Sequence, residues 1–595
     1  MRTTVSLVTA LAVFLLFSCA EPKEEKQLTI SVKEIPGTVR VQHPIKWEIG
    51  KPGGTWRDTY LEDPKSYNPF SNLDGTHLTV TRMILDYLFD YDPLARTWKG
   101  HLVKKFEVVF DEAKNSMELV CELRGDVFWS DGTQMSADDV VWWYDEIDGD
   151  QDIYPLGYQG QFVRMDDGTQ KRITIQMLGK LKFKYVFPRI VANPVLMVNT
   201  GDIVPRHIWQ PVKKQGKQAV ADFWGIDTPP QKLVGNGPFL LEKNTPGERL
   251  TFARNPNYWQ RDEKGNRLPY IERVVLTHIP DSNAELLRFQ NGEIEAYALR
   301  GQDLATLLPK AQEKGYDIWN GGPADGYPAL IFNQNPKAVS REKHALFTNR
   351  SFRQAVSCLV DRQTIIDQVI NGLAEPLYHF VAESNRYYNP EYALPFRYNP
   401  RQAAGLLAEI GLKDTNGDGM LEDPRGKKLA FGIMTSSTDP ILHDYLNMII
   451  TEMGKVGLKA NLEVVDFNVV AQKILHTYDW DCYLASFSFP TFPEQWYNVW
   501  RSDGNLHYWY PKQEKPAFEW EAAVDRLYQK LIYTYGDPKI RELYNEFQKT
   551  ILEEMQIVPI FRRYAFLAVH KQWGNVNWDT LHDLGDGLKR IYLRE

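Results

Sequence analysis

The spacing of apolar residues predicts strands and helices that follow one another along the chain. Runs typical of strands lie at 106–110, 117–123, 273–280 and 458–465, and the first two alternate like paired strands. Apolar residues at three- and four-residue spacing predict helices over 80–88, 284–290, 351–370, 400–411 and 441–453. Because strands are separated by helices, we expect βαβ units and a mixed or parallel sheet.

Two helices have capping signals at their starts. Ser136 is followed three residues later by Asp139, which is the spacing of a capping box. Asn399 precedes Pro400, and Gly411 follows the last apolar position of that helix. We therefore expect one helix to begin directly after Ser136 and another directly after Asn399.

The N-terminus has the pattern of an export signal. An apolar run over 5–17 follows a single positive charge, and it is shorter than the roughly 20 residues that cross a bilayer. It ends in Leu-Phe-Ser and Cys19, which resembles the lipobox of bacterial lipoproteins, whose cysteine is lipidated and becomes the new N-terminus. An ordinary secretory signal with a chance cysteine is the alternative. The sequence predicts a signal peptide over 1–19, a charged tether over 20–45, and a lipid anchor at Cys19 outside the cytoplasm.

Length, charge and cysteine content narrow the class of protein. A chain of 595 residues is too long for one hydrophobic core, so two or three domains are expected. A net charge of -8 argues against a nucleic-acid partner. No other apolar run approaches spanning length, so membrane contact is expected through the lipid anchor only. Cys121, Cys358 and Cys482 are predicted to be buried thiols, with a Cys121–Cys358 bridge as the alternative.

One loop starts like a calcium-binding loop. Asp414, Asn416 and Asp418 hold positions one, three and five, and a glycine follows at position six. Position twelve is Arg425 in place of the bidentate glutamate, which favours a plain turn. The twelve histidines are dispersed without a metal-ligand pair. We therefore predict no metal site and no cofactor, with these three residues as a weak calcium candidate.

Four blocks of the sequence, in order, resemble family 5 of the bacterial extracellular solute-binding proteins. They include Arg-Gly-Asp-Val-Phe-Trp-Ser-Asp-Gly-Thr, Gly-Asn-Gly-Pro-Phe and Arg-Asn-Pro-Asn-Tyr-Trp. The blocks lie at 102–140, 233–259, 333–362 and 399–411. The resemblance covers roughly residues 50–480.

This resemblance implies an α/β fold of the periplasmic binding protein type, type II with an inserted subdomain, in which a hinge joins two lobes. The expected limits are 46–72, 200–328 and 559–595 for lobe I, 73–199 for its inserted subdomain, and 329–558 for lobe II. It also implies that the lobes enclose a ligand and deliver it to an ABC permease in the membrane, with the protein acting as a monomer.

Oligopeptide-binding relatives have a lobe II strand that ends in an aspartate, which pairs with the α-ammonium of the peptide. Aligning Ala485, Ser486 and Phe487 with the family's Ala-Gly-Trp places Pro490 at that aspartate. Glu494 could substitute only if the loop folds back. The aromatic residues that follow suit sugar rings or apolar side chains.

The predicted ligand contacts are Tyr60, Tyr67, Asn68, Trp129, Phe487, Ser488, Phe489, Pro490 and Trp496. Each of these side chains could instead pack in a core. The sequence favours an extracytoplasmic receptor of an ABC importer for an oligopeptide-like solute, with an oligosaccharide as the alternative ligand. An exported hydrolase is the rival class, but no nucleophile elbow, zinc motif or paired-acid motif supports it. We therefore expect that the protein is not an enzyme.

Overall fold

The computed structural model describes residues 33–70, 75–437, 440–581 and 584–595. The predicted signal peptide, Cys19 and the start of the tether lie outside these residues. Within the described ranges, no helix has both the length and the apolar character needed to cross a membrane.

The strands are β1 (Thr55–Tyr60), β2 (Phe89–Asp92), β3 (Thr97–Gly100), β4 (Val103–Asp111), β5 (Ser116–Leu123), β6 (Phe162–Arg164), β7 (Gln170–Arg172), β8 (Thr174–Gly179), β9 (Lys182–Phe187), β10 (Phe239–Thr245), β11 (Arg249–Arg254), β12 (Arg273–His278), β13 (Ala296–Leu299), β14 (Tyr316–Pro323), β15 (Gly326–Phe332), β16 (Ala374–Pro376), β17 (Ala430–Ser436), β18 (Lys459–Val465), β19 (Cys482–Ser488), β20 (Ile557–Pro559), β21 (Phe561–His570), β22 (Trp573–Gly574) and β23 (Tyr592–Leu593).

The helices are α1 (Gly75–Ile84), α2 (Ala137–Trp143), α3 (Pro155–Gly160), α4 (Pro194–Val198), α5 (Arg206–Lys213), α6 (Lys217–Asp222), α7 (Ser282–Gln290), α8 (Gly301–Leu307), α9 (Ala311–Lys314), α10 (Arg341–Phe347), α11 (Arg350–Leu359), α12 (Arg362–Gln368), α13 (Pro400–Glu409), α14 (Pro440–Lys455), α15 (Phe467–Gln472), α16 (Tyr497–Trp500), α17 (Glu519–Ile532), α18 (Asp537–Glu554) and α19 (Leu584–Leu588).

Four larger sheets organise the chain. One has the order β1-β12-β11-β10, with β1 and β12 parallel. A second has the order β13-β21-β14, and a third, β4-β5-β9-β8, is antiparallel throughout. The fourth has the order β18-β17-β19-β15-β20, and β17 runs parallel to both β18 and β19. The expectation of a mixed sheet is confirmed in this fourth sheet.

Two large hydrophobic cores divide these elements into two bodies. The core of the first body includes Trp56, Trp143 and Val274, and it takes in the β4-β5-β9-β8 sheet. The core of the second body includes Leu330 and Ile433 of the fourth sheet and the helices packed on it. The chain leaves β14 for β15 at 324–325 and leaves β20 for β21 at residue 560, so two crossings lie side by side.

The helix starts and the strand pair that short sequence patterns predict are present in the structure. Ser136 is the N-cap of α2, and its backbone N–H donates to Asp139 Oδ2 at 2.9 Å. Asn399 is the N-cap of α13, where its side chain accepts from the backbone N–H of Gln402 at 3.0 Å. The predicted pairing of 106–110 with 117–123 is present between β4 and β5.

The three cysteines that the structure describes, Cys121, Cys358 and Cys482, are free and buried, as predicted, and no Cys121–Cys358 bridge forms. Burial raises the pKa of the Cys358 thiol to about 11. These thiols therefore serve as small apolar core residues.

The single helix expected over 351–370 is wrong, because the structure breaks it into α11 and α12. Val360 adopts an extended backbone between them, and Asp361 caps the second helix by accepting from Thr364 N–H at 3.1 Å. Arg362 then points inward, and its guanidinium donates to the carbonyl of Pro559 at 2.7 Å. The break lets this cation reach backbone acceptors in the core.

Candidate functional site

The carboxyl end of β19 is the starting point of the site. β19 runs parallel to β17 and antiparallel to β15, where Phe487 lies opposite Tyr327 and Ser488 opposite Gly326. In open α/β sheets, ligands bind outside the carboxyl ends of the parallel strands. Ser488 is exposed there, whereas Phe487 is buried. The strand therefore presents a hydroxyl and backbone groups at this edge.

The residues directly after β19 are held by the second body and by residues at the crossings. The backbone N–H of Phe489 donates to Asp325 O at 3.1 Å, and its ring packs against Tyr327 at 4.5 Å. The guanidinium of Arg562 lies 5.1 Å from the same ring. Pro490 O accepts from Asn385 Nδ2 at 3.0 Å. These contacts hold Phe489 and Pro490 in place, and both residues are buried, so their role as ligand contacts stays a prediction.

The loop after Pro490 folds back over the strand. The turn Pro493–Trp496 places Trp496 5.6 Å from the ring of Phe487 and 6.1 Å from that of Trp500. Gln495 Oε1 accepts from the backbone N–H of Phe492 at 3.0 Å, which fixes the start of the turn. The structure therefore brings Phe487, Phe489 and Trp496 together, and it turns the following loop inward.

Tyr60 and Tyr67 lie within the first body. The hydroxyl of Tyr60 donates to Asp63 Oδ1 at 2.6 Å, and its ring lies 5.3 Å from His278. The hydroxyl of Tyr67 accepts from Asn244 Nδ2 at 2.6 Å, and burial raises its pKa to about 12. Both side chains are buried, so their role as ligand contacts stays a prediction.

Asn68 and Trp129 are also enclosed in the first body. Asn68 Nδ2 donates to Val220 O at 2.6 Å, and Asn68 Oδ1 accepts from Phe70 N–H at 3.0 Å. Trp129 is a fully buried core residue. Asn68 therefore organises its own loop and Trp129 fills a core, and ligand contact by either residue stays untested.

A cavity of about 330 Å³ lies between the two bodies, next to the returning loop. Aromatic side chains form much of its wall, together with the ion pair Arg386–Asp537 and the carboxyl of Glu494. Its lining consists of Tyr91, Trp98, Phe106, Val108, Ala192, Asn193, Pro194, Val195, Arg386, Tyr387, Phe492, Glu494, Tyr535, Gly536, Asp537 and Ile540.

Two polar atoms at this cavity have no partner among the described residues. Glu494 Oε2 and the hydroxyl of Tyr91 are both buried without a hydrogen bond. Burial raises the pKa of Glu494 to about 7 and that of Tyr91 to about 12. A carboxyl in this state exchanges its proton near neutral pH.

The aromatic wall also joins the two bodies directly. Phe492 of the second body stacks on Trp98 with a centroid distance of 5.4 Å and an interplanar angle of 8°. Its ring meets Tyr91 edge-on at 4.7 Å. The sequence patterns gave no signal for Tyr91 and Trp98, because both belong to the short β2–β3 hairpin.

A buried cation lies beside the crossings between the bodies. Arg562 Nη1 lies 2.8 Å from Glu383 Oε2 and 3.5 Å from Glu375 Oε1. The same guanidinium donates to the carbonyls of Pro323 at 3.3 Å and Ala324 at 3.1 Å. Arg562 thus links segments on both sides of the crossings, although the sequence analysis did not single it out.

The candidate calcium loop forms a closed turn. Asp414 accepts from the backbone N–H of Gly417 and Gly419, at 2.7 and 2.9 Å. Carboxylate oxygens of Asp414, Asp418 and Glu422 lie within 4.8 Å of one another. Among the residues that the structure describes, this is the one cluster of three or more Asp, Glu, His or Cys side chains that could hold a metal ion.

Glu422, which the sequence analysis did not include, holds position nine of the loop, and Arg425 at position twelve pairs with Asp423 and Glu342. Asn416 donates its Nδ2 to Glu422 Oε1 at 2.9 Å, and Asp418 pairs with Lys428. The loop is therefore satisfied by its own groups, and calcium binding stays a prediction.

Comparison with known proteins adds a family and a fold. A family model described as bacterial extracellular solute-binding proteins, family 5 Middle, matches residues 94–508. A probable ABC transporter-binding protein of Deinococcus radiodurans is 29% identical over 440 residues, which is 72% of each chain. The oligopeptide-binding protein AppA of Bacillus subtilis is 25% identical over 532 residues, 85% of this chain and 89% of AppA.

A periplasmic alpha-galactoside-binding protein of Rhizobium meliloti is 23% identical over 519 residues, 82% of this chain and 71% of that protein. Among solved structures, AppA of Bacillus subtilis in complex with a nonapeptide superposes with a TM-score of 0.66. The sequence identity in that superposition is 21%, and it covers 92% of this chain and all of AppA. The likeness to AppA extends over both bodies.

Proposed function

Because this chain belongs to family 5 of the bacterial extracellular solute-binding proteins, we propose that it is the substrate-binding receptor of an ABC importer. Its fold is the type II periplasmic binding fold, as the resemblance implied. The family consists of receptors and not of enzymes. The observation that carries the proposal is the family match over 94–508, which spans both bodies and the site at the end of β19.

An oligopeptide-like solute is the proposed ligand class. The end of β19 offers the exposed hydroxyl of Ser488 close in sequence to the rings of Phe489 and Trp496. A hydroxyl suits the amides of a peptide, and rings suit its apolar side chains. The oligopeptide-binding relative AppA supports this assignment.

An oligosaccharide is the second candidate ligand. Aromatic faces such as those of Phe487 and Trp496 also suit sugar rings, and no carboxylate stands at Pro490 for a peptide ammonium. The alpha-galactoside-binding relative supports this alternative. A peptide requires the site to form hydrogen bonds with its amides, and an oligosaccharide requires hydrogen bonds with its hydroxyls. A binding screen with both classes therefore distinguishes them.

Capture is proposed to occur by closure of two lobes about the paired crossings. In this proposal lobe I with its inserted subdomain is the first body, and lobe II, expected over 329–558, is the second. A ligand that contacts both bodies favours their closed arrangement by the free energy of those added contacts. The neighbouring crossings at 324–325 and 560 support a hinge there.

Attachment to a membrane is proposed through a lipid on Cys19, with the tether over 20–45 separating the lipid from the folded protein. The monomer would then meet its permease outside the cytoplasm. Cys19→Ala should release the protein from the detergent phase of a phase-partition assay. Equal partition of both forms would argue against the anchor.

A thermal-shift panel tests the ligand class. A ligand bound only by the folded form adds about 2.7 kcal/mol at one hundred times its dissociation constant, so the melting temperature should rise by a few degrees. We expect di- to hexapeptides to raise it, and nickel, calcium and free amino acids to leave it unchanged. A shift with oligosaccharides alone would replace the peptide assignment. No shift with either class would contradict the receptor proposal.

A further inference from the structure

A cavity of about 670 Å³ lies within the first body. Its lining comes from residue 47 and from the segments 87–126, 259–261 and 589–590. None of the described residues that line it belongs to the second body or to the loop after β19. Its volume falls within the roughly 300–1,000 Å³ typical of small-molecule pockets. A ligand held here would therefore contact one body only.

Positive groups outnumber acids on the lining of this cavity. The cations are Lys99, Arg124, Arg261, Lys589 and Arg590, and the acids are Asp90 and Asp126. Lys99 pairs with Asp92, and Arg590 lies 3.0 Å from Glu263, so acids outside the lining balance these two cations. The other cations still exceed the acids of the lining.

Arg124 presents an unpaired guanidinium to the cavity. The group lies 4.2 Å from the ring centre of Trp259, and its Nε donates to His101 O at 2.6 Å. Arg124 is half-buried, and its Nη1 and Nη2 atoms stay accessible without a hydrogen-bond partner among the described residues. Burial lowers the pKa of Arg124, and Asp126 partly offsets that shift. The indole thus fixes a guanidinium whose outer N–H groups are vacant.

Lys589 adds an ammonium close to this guanidinium. It is half-buried, and within the described part of the chain its Nζ has neither an ion pair nor a hydrogen bond. The nearby acid Asp86 is turned to other groups, since its Oδ1 lies 3.0 Å from His101 and its Oδ2 accepts from Trp259 at 2.9 Å. Burial alone would raise the pKa of Asp86, but His101 and Lys589 hold it below its usual range. Lys589 therefore acts on Asp86 from a distance and stays available.

Trp47 gives the cavity an apolar surface. It is half-buried, and it belongs to none of the hydrophobic cores formed by the described residues. The guanidinium of Arg590 lies 5.4 Å from its ring. An indole that packs in no core keeps flat area for a ligand. The cavity thus combines vacant N–H donors with an aromatic surface.

We propose that this cavity binds a small organic anion, whose phosphate or carboxylate group accepts from Arg124 and Lys589 and whose apolar part packs against Trp47. A guanidinium binds such oxyanions through two parallel N–H bonds, and an ammonium adds a point charge. The site is separate from the proposed site for the transported solute. Because it lies in one body, the anion does not favour closure of the two bodies.

Isothermal titration calorimetry with phenyl phosphate and benzoate tests the site, with phenol as the uncharged probe of the same ring size. At pH 7.5 and fixed ionic strength we expect phenyl phosphate to bind at least about tenfold more tightly than phenol. Benzoate should lie between them because it carries less charge than phenyl phosphate. Added sodium chloride should reduce the advantage of both anions. Equal binding of all three compounds would refute the site.

Charge-removing variants locate the anion. Lys589→Gln, at a side chain without a polar partner among the described residues, should lower the affinity for phenyl phosphate about tenfold. Arg124→Gln should do the same, and Arg124→Lys should retain part of the affinity because it keeps the charge. Lys243→Gln, at an exposed lysine of β10, should change nothing. Wild-type affinity in a folded Lys589→Gln variant would overturn the assignment.

Two further measurements test the organic part of the ligand and its place in the fold. Trp47→Leu should weaken phenyl phosphate binding several-fold and leave the binding of inorganic phosphate unchanged. The same affinity of both proteins for phenyl phosphate would reduce the site to an adventitious ion only and refute the organic ligand. Saturating phenyl phosphate should not change the radius of gyration in X-ray scattering. A smaller radius would place the anion between the two bodies and overturn the assignment.

Discussion

Arg562 is the residue on which the polar contacts beside the crossings converge. Its side chain is 5% exposed and reaches Glu383, Glu375 and two backbone carbonyls. Burial raises the pKa of Glu375 and also that of Asp325 nearby. Each acid is therefore held in its charged form largely by the arginine, so the network depends on one cation.

Removing that cation should be costly. Arg562→Gln leaves Glu383 and Glu375 without their partner, and we expect it to lower the free energy of unfolding by about 3 kcal/mol. Urea unfolding checks this, with Arg401→Gln on the exposed side of α13 as the control. Adding Glu383→Gln to Arg562→Gln should recover part of the loss. A single variant as stable as the wild type would mean that water replaces the arginine.

Asp148 gives a pH dependence with a defined sign. It is buried and accepts from Gln161 at 2.6 Å and Thr200 at 2.8 Å, yet burial raises its pKa from 3.8 to about 6. The folded protein thus holds this proton more tightly than the unfolded chain. The stabilisation is present at low pH and is lost as the pH rises through 6.

Asp148→Asn should remove this part of the pH dependence. Between pH 5 and pH 7 we expect the wild type to lose about 1 kcal/mol of unfolding free energy that the variant does not lose. The comparison of variant with wild type is needed because the pKa of His379 is lowered by burial and acts in the opposite direction. Asp367→Asn, at an exposed position, is the control. Parallel pH profiles for Asp148→Asn and the wild type would contradict the assignment.

At the scale of elements, the start of α12 depends on one side chain. Asp361 accepts from both the backbone N–H and the hydroxyl of Thr364, at 3.1 and 2.8 Å. We expect Asp361→Ala to cost about 1 kcal/mol in urea unfolding, the usual effect of losing an N-cap. Asp361→Asn should keep most of the stability, because an amide oxygen also caps. Equal losses for both would mean that the carboxylate charge matters more than the cap.

The helix starts show which structural features neighbouring residues in the sequence can predict. Ser136 and Asn399 are predicted as N-caps from neighbours in the sequence, Asp139 for the first and Pro400 for the second, and the structure has both caps. The break after Leu359 was missed because its reason is distant: the guanidinium of Arg362 bonds the carbonyl of Pro559, 197 residues along the chain. Periodicity cannot detect a contact at that separation, so the two helices merged into one.

The candidate site likewise has one part that the sequence predicts and one part that it could not predict. The strand before Phe489 and the position of Pro490 came from a motif, and the structure contains that strand as β19. The cavity beside Glu494 could not be predicted, since its opposite wall comes from Tyr91 and Trp98, about four hundred residues away. Only folding brings a hairpin of the first body against a loop of the second.

At the scale of the whole molecule, the two bodies touch through their own residues as well as across the proposed ligand site. Arg96 Nη2 donates to Glu383 O at 2.9 Å, and Ala192 N–H donates to Ile532 O at 2.9 Å. Phe492 adds its two ring contacts with Trp98 and Tyr91. These contacts form only when the bodies are together, so they favour closure independently of the ligand.

Phe492→Ala should therefore shift the protein toward an open arrangement. Each aromatic pair contributes about 0.5–1.5 kcal/mol beyond its buried area, so losing two should weaken ligand binding about tenfold, because more of the ligand's contact energy is spent on closing the bodies. X-ray scattering should give a larger radius of gyration for the unliganded variant than for the wild type, and saturating ligand should bring both to the same value. Phe467→Ala removes a ring of the second body that is 58% exposed, and it should change neither quantity. If Phe492→Ala keeps the wild-type radius and affinity, the aromatic contact forms equally well in both arrangements and does not drive closure.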